Sequence, residues 1–345
     1  MEKVRFGILG CGSVANYHAA AIAAVEGAEL VCACSNTPEK AQRFCEAQGI
    51  AFMDSYETML ANPDVDAVCI CTPSGLHAEE AIAALKAGKH VLCEKPMAIS
   101  LEECEAMVQA AKDSGKYLMI GQNQRLAKAH SKAKELIASG AIGKVLTFRT
   151  IFGHGGPETW SIDPGSNVWF FDRSKAAMGA LADLGIHKTD MIQYVLGSKI
   201  VKTQAVLTTL DKKDATGNLI GVDDNAICIY QMENGVIGTM TASWTYYAAE
   251  DNTTVIYGTK GELRLYDDPK YSVQQINADG TRIDYQIDQI QTNDNQTASG
   301  VIDLFVDCLV EKKEPEISGA NVLHAMKAVF ASIESSAKGC AIEVK

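Results

Sequence analysis

Short apolar runs alternate with helical patterns at the start of the chain. The runs predict strands at Val4 to Leu9, Glu29 to Cys34, Ala67 to Cys71, His90 to Cys93 and Tyr117 to Ile120. Alanine-rich helical patterns lie between them, at about residues 14–25, 38–48, 76–87 and 101–114. Strands that alternate with helices are typical of a parallel sheet covered by helices. We therefore predict an α/β domain over residues 1–122.

The pattern changes after a helix predicted near residues 130–139. Longer strands with alternating apolar and polar residues follow, at Lys144 to Phe152, Ile200 to Leu210, Asp224 to Gln231, Val236 to Thr245 and Asn252 to Tyr257. Such alternation indicates an antiparallel sheet with one covered face. Helices are predicted at about 177–196, 298–311 and 319–337. We therefore predict a second domain, residues 123–345, built on a large, mostly antiparallel sheet.

Length and composition are consistent with a two-domain globular protein. The chain has 345 residues, of which 47% are hydrophobic and 21% charged, and single cores rarely grow to this length. No run approaches the roughly 18 apolar residues that span a bilayer, so no membrane partner is expected. Met1 to Arg5 lead directly into a strand without a cleavable signal, which favours a cytoplasmic location. The formal charge of −12 argues against a nucleic-acid partner.

The cysteines are interpreted as buried thiols. There are eleven, an odd number, and most lie in apolar runs, as in a reducing compartment. Cys32 and Cys34, like Cys69 and Cys71, alternate along a strand, so each pair faces one side of the sheet. Metal ligation by these pairs is the alternative, but zinc sites usually place thiols on turns at wider spacing. We predict no metal.

A glycine-rich turn joins the first strand to the first helix. The pattern Gly10-x-Gly12-x-x-Ala15 in this context is the fingerprint of a dinucleotide site. Gly10 permits the tight turn, Gly12 lets the backbone approach a pyrophosphate, and Ala15 allows close packing of helix on strand. We expect the pyrophosphate on this turn, including Ser13 and Val14. The alternative is a tight turn in an unrelated parallel-sheet protein.

The end of the second strand bears on the choice between NAD and NADP. The fingerprint expects an acidic residue there, which binds the ribose hydroxyls of NAD, but the position falls on Ser35. Without a carboxylate, Ser35, Asn36, Thr37 and Lys40 could bind a 2′-phosphate. The cofactor is therefore predicted as NAD or NADP. Ser35 and Asn36 could also simply form a turn and cap the next helix.

Three further motifs carry a family resemblance. They are Thr72-Pro73-x-x-x-His77, Glu94-Lys95-Pro96 and Gly179-Ala180-Leu181-x-Asp183-x-Gly185-x-His187-x-x-Asp190. In this order, and up to Tyr257-Gly258-Thr259-Lys260-Gly261, the chain resembles the Gfo/Idh/MocA family over most of its length. That family includes glucose-fructose oxidoreductase, inositol dehydrogenases and related sugar and polyol dehydrogenases. The resemblance implies a Rossmann domain followed by an α/β domain with a large, mostly antiparallel sheet.

The resemblance also implies roles for the residues of these motifs. Lys95 would lie by the nicotinamide and the reacting carbon, and Glu94 would contact the nicotinamide ribose. His187 would share the substrate hydroxyl with Lys95, and Asp183 would bind or orient substrate and histidine. The residues themselves allow this, since Lys95 follows a parallel strand and Asp183 and His187 share a helix face. An ordinary surface lysine and a structural histidine are the alternatives, and Asp190 could be an ordinary polar helix residue.

Other positions complete the predicted site. Thr72, Pro73 and His77 would close over the dinucleotide. The segment from Gln122 to Arg125 matches a family segment that is richer in arginine, so Arg125 is predicted near the ligand, while Gln124 departs from the pattern.

An aromatic, glycine-rich stretch follows, where the family varies its substrate pocket. There Trp160 either stacks on a sugar ring or packs in the interior, and Trp169 has the same packing alternative.

The leading hypothesis is an NAD(P)-dependent oxidoreductase. It would transfer a hydride between the nicotinamide and a secondary alcohol of a sugar, polyol or derivative, with Lys95 and His187 handling the hydroxyl proton. Two alternatives are a glycoside hydrolase that oxidises its substrate transiently with bound NAD, and a cofactor-binding regulator without activity. The set of Lys95, Asp183 and His187 argues against the regulator. The second sheet predicts a homo-oligomer, either dimer or tetramer.

Overall fold

The protein forms two compact units. The computed structural model describes residues 3–161, 164–290 and 299–345. Among these, residues 3–122 and 299–323 form the first unit, and residues 123–161, 164–290 and 324–345 form the second. Residues 299–323 thus belong to the first unit, whereas the sequence pattern places them in the second domain. The assignment of one function to each domain stays a prediction.

The first unit is built on a six-stranded parallel sheet. Its strands are β1 Val4–Leu9, β2 Ala28–Cys34, β3 Ala51–Phe52, β4 Ala67–Ile70, β5 His90–Cys93 and β6 Leu118–Ile120. The strand order is β3-β2-β1-β4-β5-β6, with every pair parallel. Its helices up to residue 122 are α1 Ser13–Ala24, α2 Pro38–Gln48, α3 Tyr56–Ala61, α4 His77–Lys86 and α5 Leu101–Ser114. This is the strand order of a Rossmann fold, so the predicted fold class is confirmed.

The second unit is built on a nine-stranded sheet. Its strands are β7 Val145–Gly153, β8 Ile200–Thr208, β9 Asn225–Met232, β10 Ile237–Ser243, β11 Thr254–Gly258, β12 Gly261–Leu265, β13 Val273–Asn277, β14 Arg282–Tyr285 and β15 Ile342–Glu343. The order is β14-β13-β12-β11-β7-β10-β9-β8-β15, and among the described residues only β7 and β10 of this sheet pair in parallel. The predicted mostly antiparallel sheet is therefore confirmed.

The remaining helices are α6 Lys128–Ala138, α7 Arg173–Ala176, α8 Ile186–Leu196, α9 Val301–Glu311 and α10 Gly319–Lys338. The first residue of the helix predicted at 298–311 lies outside the described residues. Helix α9 begins after Gly300, which has a φ of +77°. Glycine adopts this left-handed conformation readily because it has no Cβ. Within the described ranges, every helix is too short or too polar to cross a lipid bilayer.

The helix predicted at 177–196 is wrong in its first half. Ala177 has a φ of +58°, and residues Leu181–Gly185 form a π-helical turn that leads into α8. Asp223 holds the start of this turn, because its carboxylate accepts the backbone N–H groups of Gly179 at 2.9 Å and Leu181 at 2.8 Å. These bonds satisfy N–H groups that have no partner at the start of a helix.

One face of the second sheet is covered by helices and the other is exposed. On the covered face, the Tyr230 hydroxyl of β9 lies 2.9 Å from Thr189 of α8, and Thr203 of β8 lies 2.9 Å from Ser332 of α10. Residues of β9 alternate between the faces, so that Ile227 and other large apolar side chains are exposed on the opposite side. The covered face forms the core of this unit.

Candidate active site

The turn after β1 has the shape that a dinucleotide requires. Gly10 has a φ of +89°, and its N–H donates to the Cys34 carbonyl at 2.9 Å. A Cβ on Gly10 would lie 2.9 Å from the Cys71 carbonyl carbon and from Thr72 Cγ2, because β1 and β4 are neighbours. A Cβ on Gly12 would meet no atom of the described residues within 4 Å. Gly10 is thus required by the turn itself, while Gly12 leaves open space beside the backbone.

The start of α1 fits a phosphate group. Gly12 is the N-cap and makes no side-chain capping bond, and the first turn, which Ser13 and Val14 begin, holds no acidic residue. Its N–H groups therefore remain available, and the helix dipole favours an anion here. Ala15 is fully buried, which is consistent with close packing of helix on strand. The predicted residues Gly10, Gly12, Ser13 and Val14 fit a pyrophosphate, and their contacts with it stay a prediction.

The segment after β2 forms a turn that leads into α2. The Ser35 hydroxyl accepts the Thr37 N–H at 3.3 Å. Thr37 is the N-cap of α2, and its own side chain makes no capping bond. Lys40 is half-buried in the first turn of α2. This segment presents hydroxyl, amide and ammonium groups, and its binding of a 2′-phosphate stays a prediction.

The loop after β4 is fixed by two residues of α4. The Thr72 hydroxyl donates to the carboxylate of Glu80, a residue that the sequence motifs did not identify. Burial raises the pKa of Glu80 to about 7, although the bond from Thr72 opposes this. The ring nitrogens of His77 lie 2.9 Å from the carbonyls of Thr72 and Pro96. His77 therefore positions this loop, together with Pro73, relative to the segment after β5, and direct cofactor contacts of these residues stay a prediction.

Glu94 lies at the centre of a hydrogen-bonded cluster directly after β5. Its Oε1 is 2.7 Å from His18 Nε2 on α1, and its Oε2 accepts the Lys95 N–H at 3.2 Å. Burial raises the pKa of Glu94, but the bond and the charge of His18 outweigh burial and hold the pKa below its usual range. Lys95 is half-buried and is followed by a cis peptide bond to Pro96. Sequence reasoning missed His18, which the helix brings to Glu94 from 76 residues away.

Asp183 and His187 are buried in the second unit, each 6% exposed. Asp183 lies in the π-helical turn and His187 in the first turn of α8. The indole N–H of Trp244 donates to Asp183 Oδ2 at 3.0 Å, and the His187 ring centroid is 6.0 Å from that of Phe152. Sequence reasoning missed Trp244, because a tryptophan directly after a strand is by itself no sign of a functional residue.

Arg125 and Asp190 form a buried ion pair. Arg125 Nε donates to Asp190 Oδ2 at 2.9 Å, and a second bond joins the guanidinium to Oδ1. Asp190 is therefore not an ordinary solvated residue of the helix. Since Asp190 balances the charge of Arg125, the pair also shapes this region without a ligand, and the predicted contact of Arg125 with substrate stays a prediction. Gln124 donates to Asn252 Oδ1 at 3.4 Å, so this departure from the family pattern is a buried polar residue.

Trp160 belongs to an aromatic cluster in the second unit. Its ring centroid lies 5.3 Å from that of Phe170 and 6.4 Å from that of His154, both nearly perpendicular. Trp169 stacks on Phe170 at 3.9 Å. Both tryptophans therefore have packing partners. The buried Nε1 of Trp160 has no hydrogen-bond partner among the described residues, and its contact with a sugar stays a prediction.

A fully buried lysine follows His187. Lys188 Nζ donates to the Asn252 carbonyl at 2.9 Å and lies 5.9 Å from the Phe152 ring centroid. Burial lowers the pKa of Lys188 to about 7, although the charges of Asp251 and Glu250 oppose this. Sequence reasoning missed this residue, because a lysine within a helical pattern is usually exposed.

The Rossmann sheet and the open phosphate turn are those of a dinucleotide-binding protein, and comparison with known proteins identifies its family. Residues 4–122 match the model of an oxidoreductase family with an NAD-binding Rossmann fold, and residues 130–264 match the GFO/IDH/MocA C-terminal domain. The chain belongs to the Gfo/Idh/MocA family of oxidoreductases. The resemblance derived from the motifs and the predicted NAD-binding domain are thereby confirmed.

Relatives of known function support this assignment along the whole chain. Levoglucosan dehydrogenase of Pseudarthrobacter phenanthrenivorans is 33% identical over 291 residues, which are 76% of this chain and 73% of that enzyme. The scyllo-inositol 2-dehydrogenase (NAD(+)) of Bacillus subtilis is 27% identical over 346 residues, 99% of this chain and 97% of that enzyme. A structure of levoglucosan dehydrogenase with NADH and L-sorbose has a TM-score of 0.87 and 29% identity, with all of both chains covered.

Proposed function

We propose that this oxidoreductase catalyses the reversible oxidation of a secondary alcohol of a sugar, a polyol or a derivative, with NAD or NADP as cofactor. The observation that carries the proposal is Lys95, held directly after β5 in the same unit as the open phosphate turn. The carboxyl ends of parallel strands are where such sheets bind ligands and perform chemistry. The named substrates of the relatives, levoglucosan and scyllo-inositol, support the substrate class.

The residues of the first unit would hold the dinucleotide. The turn from Gly10 to Val14 would bind the pyrophosphate, the segment from Ser35 to Lys40 the adenosine ribose, and Glu94 the nicotinamide ribose. The nicotinamide supplies the acceptor or donor of the hydride when it is bound. Glu94 is already ionised and oriented by His18, so it can accept hydrogen bonds from ribose hydroxyls without a change of protonation.

Lys95, Asp183 and His187 would handle the proton of the substrate hydroxyl. We infer this role from their positions in the family motifs. Lys95 and His187 would share the hydroxyl, and one of them would take its proton as the alcohol is oxidised. Asp183 would orient His187 or the substrate, and Trp244 fixes one oxygen of this carboxylate at 3.0 Å.

A panel of sugars and polyols, each assayed with NAD and with NADP, tests the proposal. We expect at least one substrate to reduce the cofactor, and Lys95→Ala to lower kcat/KM on it by 100-fold or more, which is the order of one general acid–base group. Lys112→Ala, on the surface of α5, is the control with unchanged turnover. Wild-type turnover in Lys95→Ala would contradict the assigned chemistry. Cleavage of a glycoside without net cofactor reduction would instead support transient oxidation by retained NAD.

We propose that the exposed face of the second sheet forms a homo-oligomer. Neighbouring strands place large apolar side chains on this face, and Val206, Ile227, Ile229 and Ile237 are each more than half exposed. Contiguous apolar surface of this kind usually marks an interface.

Analytical ultracentrifugation tests the oligomer. The wild type is expected to sediment as a dimer or tetramer, and Ile227→Lys with Ile229→Lys as a smaller species. Thr281→Lys, on an exposed turn between β13 and β14, serves as control. A monomeric wild type at micromolar concentration would refute this interface.

We also propose a cytoplasmic location. All eleven cysteines are free thiols, including the exposed Cys340, as expected in a reducing compartment. Cell fractionation tests this, and recovery outside the cytoplasmic fraction would contradict it.

A further inference from the structure

A histidine and two cysteines converge in the first unit. Cys69 lies in β4 and Cys71 directly follows that strand, and their sulfur atoms are 3.7 Å apart. His18, on α1, points to the same place, so that one ring nitrogen and both sulfurs lie within 4.8 Å of one another. This is the one group of three or more histidine, cysteine or carboxylate ligands found in the described part of the chain.

The spacing of the sulfur atoms matches a tetrahedral metal site. Two Zn–S bonds of about 2.3 Å at the tetrahedral angle place their sulfurs about 3.8 Å apart. Two thiolates and an imidazole are also a ligand set that Zn²⁺ and similar soft cations prefer. The geometry of the two sulfur atoms is thus already close to that of a bound state.

A carboxylate contacts the histidine through one ring nitrogen. Glu94 Oε1 lies 2.7 Å from His18 Nε2. If the metal binds through Nδ1, this contact becomes the carboxylate–histidine–metal arrangement that orients histidine ligands at many zinc sites. The negative charge of Glu94 also offsets the charge of a divalent cation near the sheet.

We propose that His18, Cys69 and Cys71 bind one thiophilic divalent cation, with water in the fourth position. Cys71 is half-buried and gives access to the site, whereas Cys69 and His18 are buried. The site is separate from the groups proposed to handle the substrate proton, and its existence does not depend on the proposed reaction. The sequence interpretation preferred buried thiols to metal ligation by the cysteine pairs, because the sequence pattern does not show that His18 joins one of them.

Titration of the full chain with Co²⁺ and then Zn²⁺ tests the site. The exposed thiol is first removed by Cys340→Ser. We expect one Co²⁺ per chain, with visible d–d bands and ultraviolet sulfur-to-cobalt charge-transfer bands of a tetrahedral thiolate complex, and displacement by Zn²⁺. Cys69→Ser with Cys71→Ser should abolish these bands. His18→Asn should weaken Zn²⁺ binding by about 100-fold or more. Loss of a residue that only supports a metal ligand already costs up to about 100-fold, and loss of a ligand itself should cost at least as much.

Cys32 and Cys34 provide the matched control. They have the same spacing on β2 of the same sheet and are both buried, but they lie in no cluster with a histidine among the described residues. Cys32→Ser with Cys34→Ser should retain the cobalt bands and the stoichiometry. Equal Co²⁺ spectra in the two double variants would overturn the proposal.

A second measurement needs no variant of the site. In the Cys340→Ser protein, saturating Zn²⁺ should slow alkylation of Cys71 by iodoacetamide at least 10-fold, as followed by peptide mass spectrometry. An unchanged rate for Cys71 would overturn the proposal even if the serine variants fail to fold.

Discussion

Buried charged side chains of the second unit have partners that are remote in sequence. Asp183 accepts a hydrogen bond from Trp244, which is 61 residues away in sequence. Lys188 donates one to the carbonyl of Asn252, 64 residues away. Arg125 forms an ion pair with Asp190, 65 residues away. A buried charge without such a partner would be strongly unfavourable. The motifs identified several of these charged residues, but the partners could not be inferred from local spacing.

The bond from Trp244 to Asp183 yields a first prediction. Trp244→Phe keeps an aromatic ring but removes the donor, and a hydrogen bond to a charged group contributes about 1.5–3 kcal/mol. We expect kcat/KM on the best substrate of the panel to fall about 10- to 100-fold.

Tyr230→Phe is the control for the Trp244 variant. It removes another buried hydrogen bond of the second unit, to Thr189, and should lower the free energy of unfolding without changing kcat/KM. If Trp244→Phe retains wild-type kcat/KM, the bond has no role in orienting Asp183.

Lys188 yields a prediction about pH. Burial lowers its pKa from 10.5 to about 7, so between these values the folded chain binds fewer protons than the unfolded chain. The contribution of Lys188 to the free energy of unfolding therefore becomes more favourable as pH rises from 7, by at most about 1.4 kcal/mol per unit. Urea unfolding at pH 7, 8 and 9 should show this slope in the difference between wild type and Lys188→Met.

Lys128 provides the control for that slope. It is exposed at the start of α6, and Lys128→Met should differ from wild type by a constant amount over the same pH range. A constant difference for Lys188→Met would show that the lysine is not desolvated in the folded protein.

At the scale of elements, local sequence predicts most of the first sheet. Strands β1 and β5 have the predicted bounds, because each is a short apolar run bordered by glycine or polar residues. Strand β3, with two exposed residues, and helix α3, with six, carry too little periodicity to be predicted. The π-helical turn before α8 was missed, and the carboxylate of Asp223 that holds its start lies 42 residues beyond Leu181.

The turn between β1 and α1 gives a prediction that separates folding from binding. In Gly10→Ala, the positive φ and the contacts at 2.9 Å with Cys71 and Thr72 should lower the free energy of unfolding by about 1–3 kcal/mol. In Gly12→Ala, the methyl group meets no atom within 4 Å, so stability should change by less than about 0.5 kcal/mol. The same methyl group would stand where the pyrophosphate approaches, so the Kd for NAD should rise 10-fold or more.

Denaturant unfolding and NAD titration by calorimetry, carried out on both glycine variants, measure the two effects. If Gly12→Ala bound NAD as tightly as the wild type, the pyrophosphate would not lie on this turn.

For the whole molecule, ordered motifs predict more than single elements do. They established the family and the two kinds of sheet, both of which the comparisons confirm. What they could not predict are contacts such as those of His18 with Glu94 and the two cysteines, because α1 and the segments around Cys71 and Glu94 are remote from each other in sequence. The family and its fold are thus more readily predicted from sequence than the supporting contacts of one member.

Cofactor choice can be measured through the stability of the molecule, without a substrate. A ligand that binds only the folded chain raises the free energy of unfolding by RT ln(1 + [L]/Kd), about 2.7 kcal/mol at 100 times Kd. Ser35 leaves the end of β2 without a carboxylate, so both NAD and NADP should raise the melting temperature of the wild type.

In Ser35→Asp, the new charge would repel a 2′-phosphate and accept hydrogen bonds from ribose hydroxyls. The rise in melting temperature with NADP should therefore be lost, and the rise with NAD retained. Lys40→Ala, measured by the same thermal unfolding, should weaken the NADP shift alone. A Ser35→Asp protein that NADP still stabilises as much as NAD would show that the adenosine ribose does not lie at the end of β2.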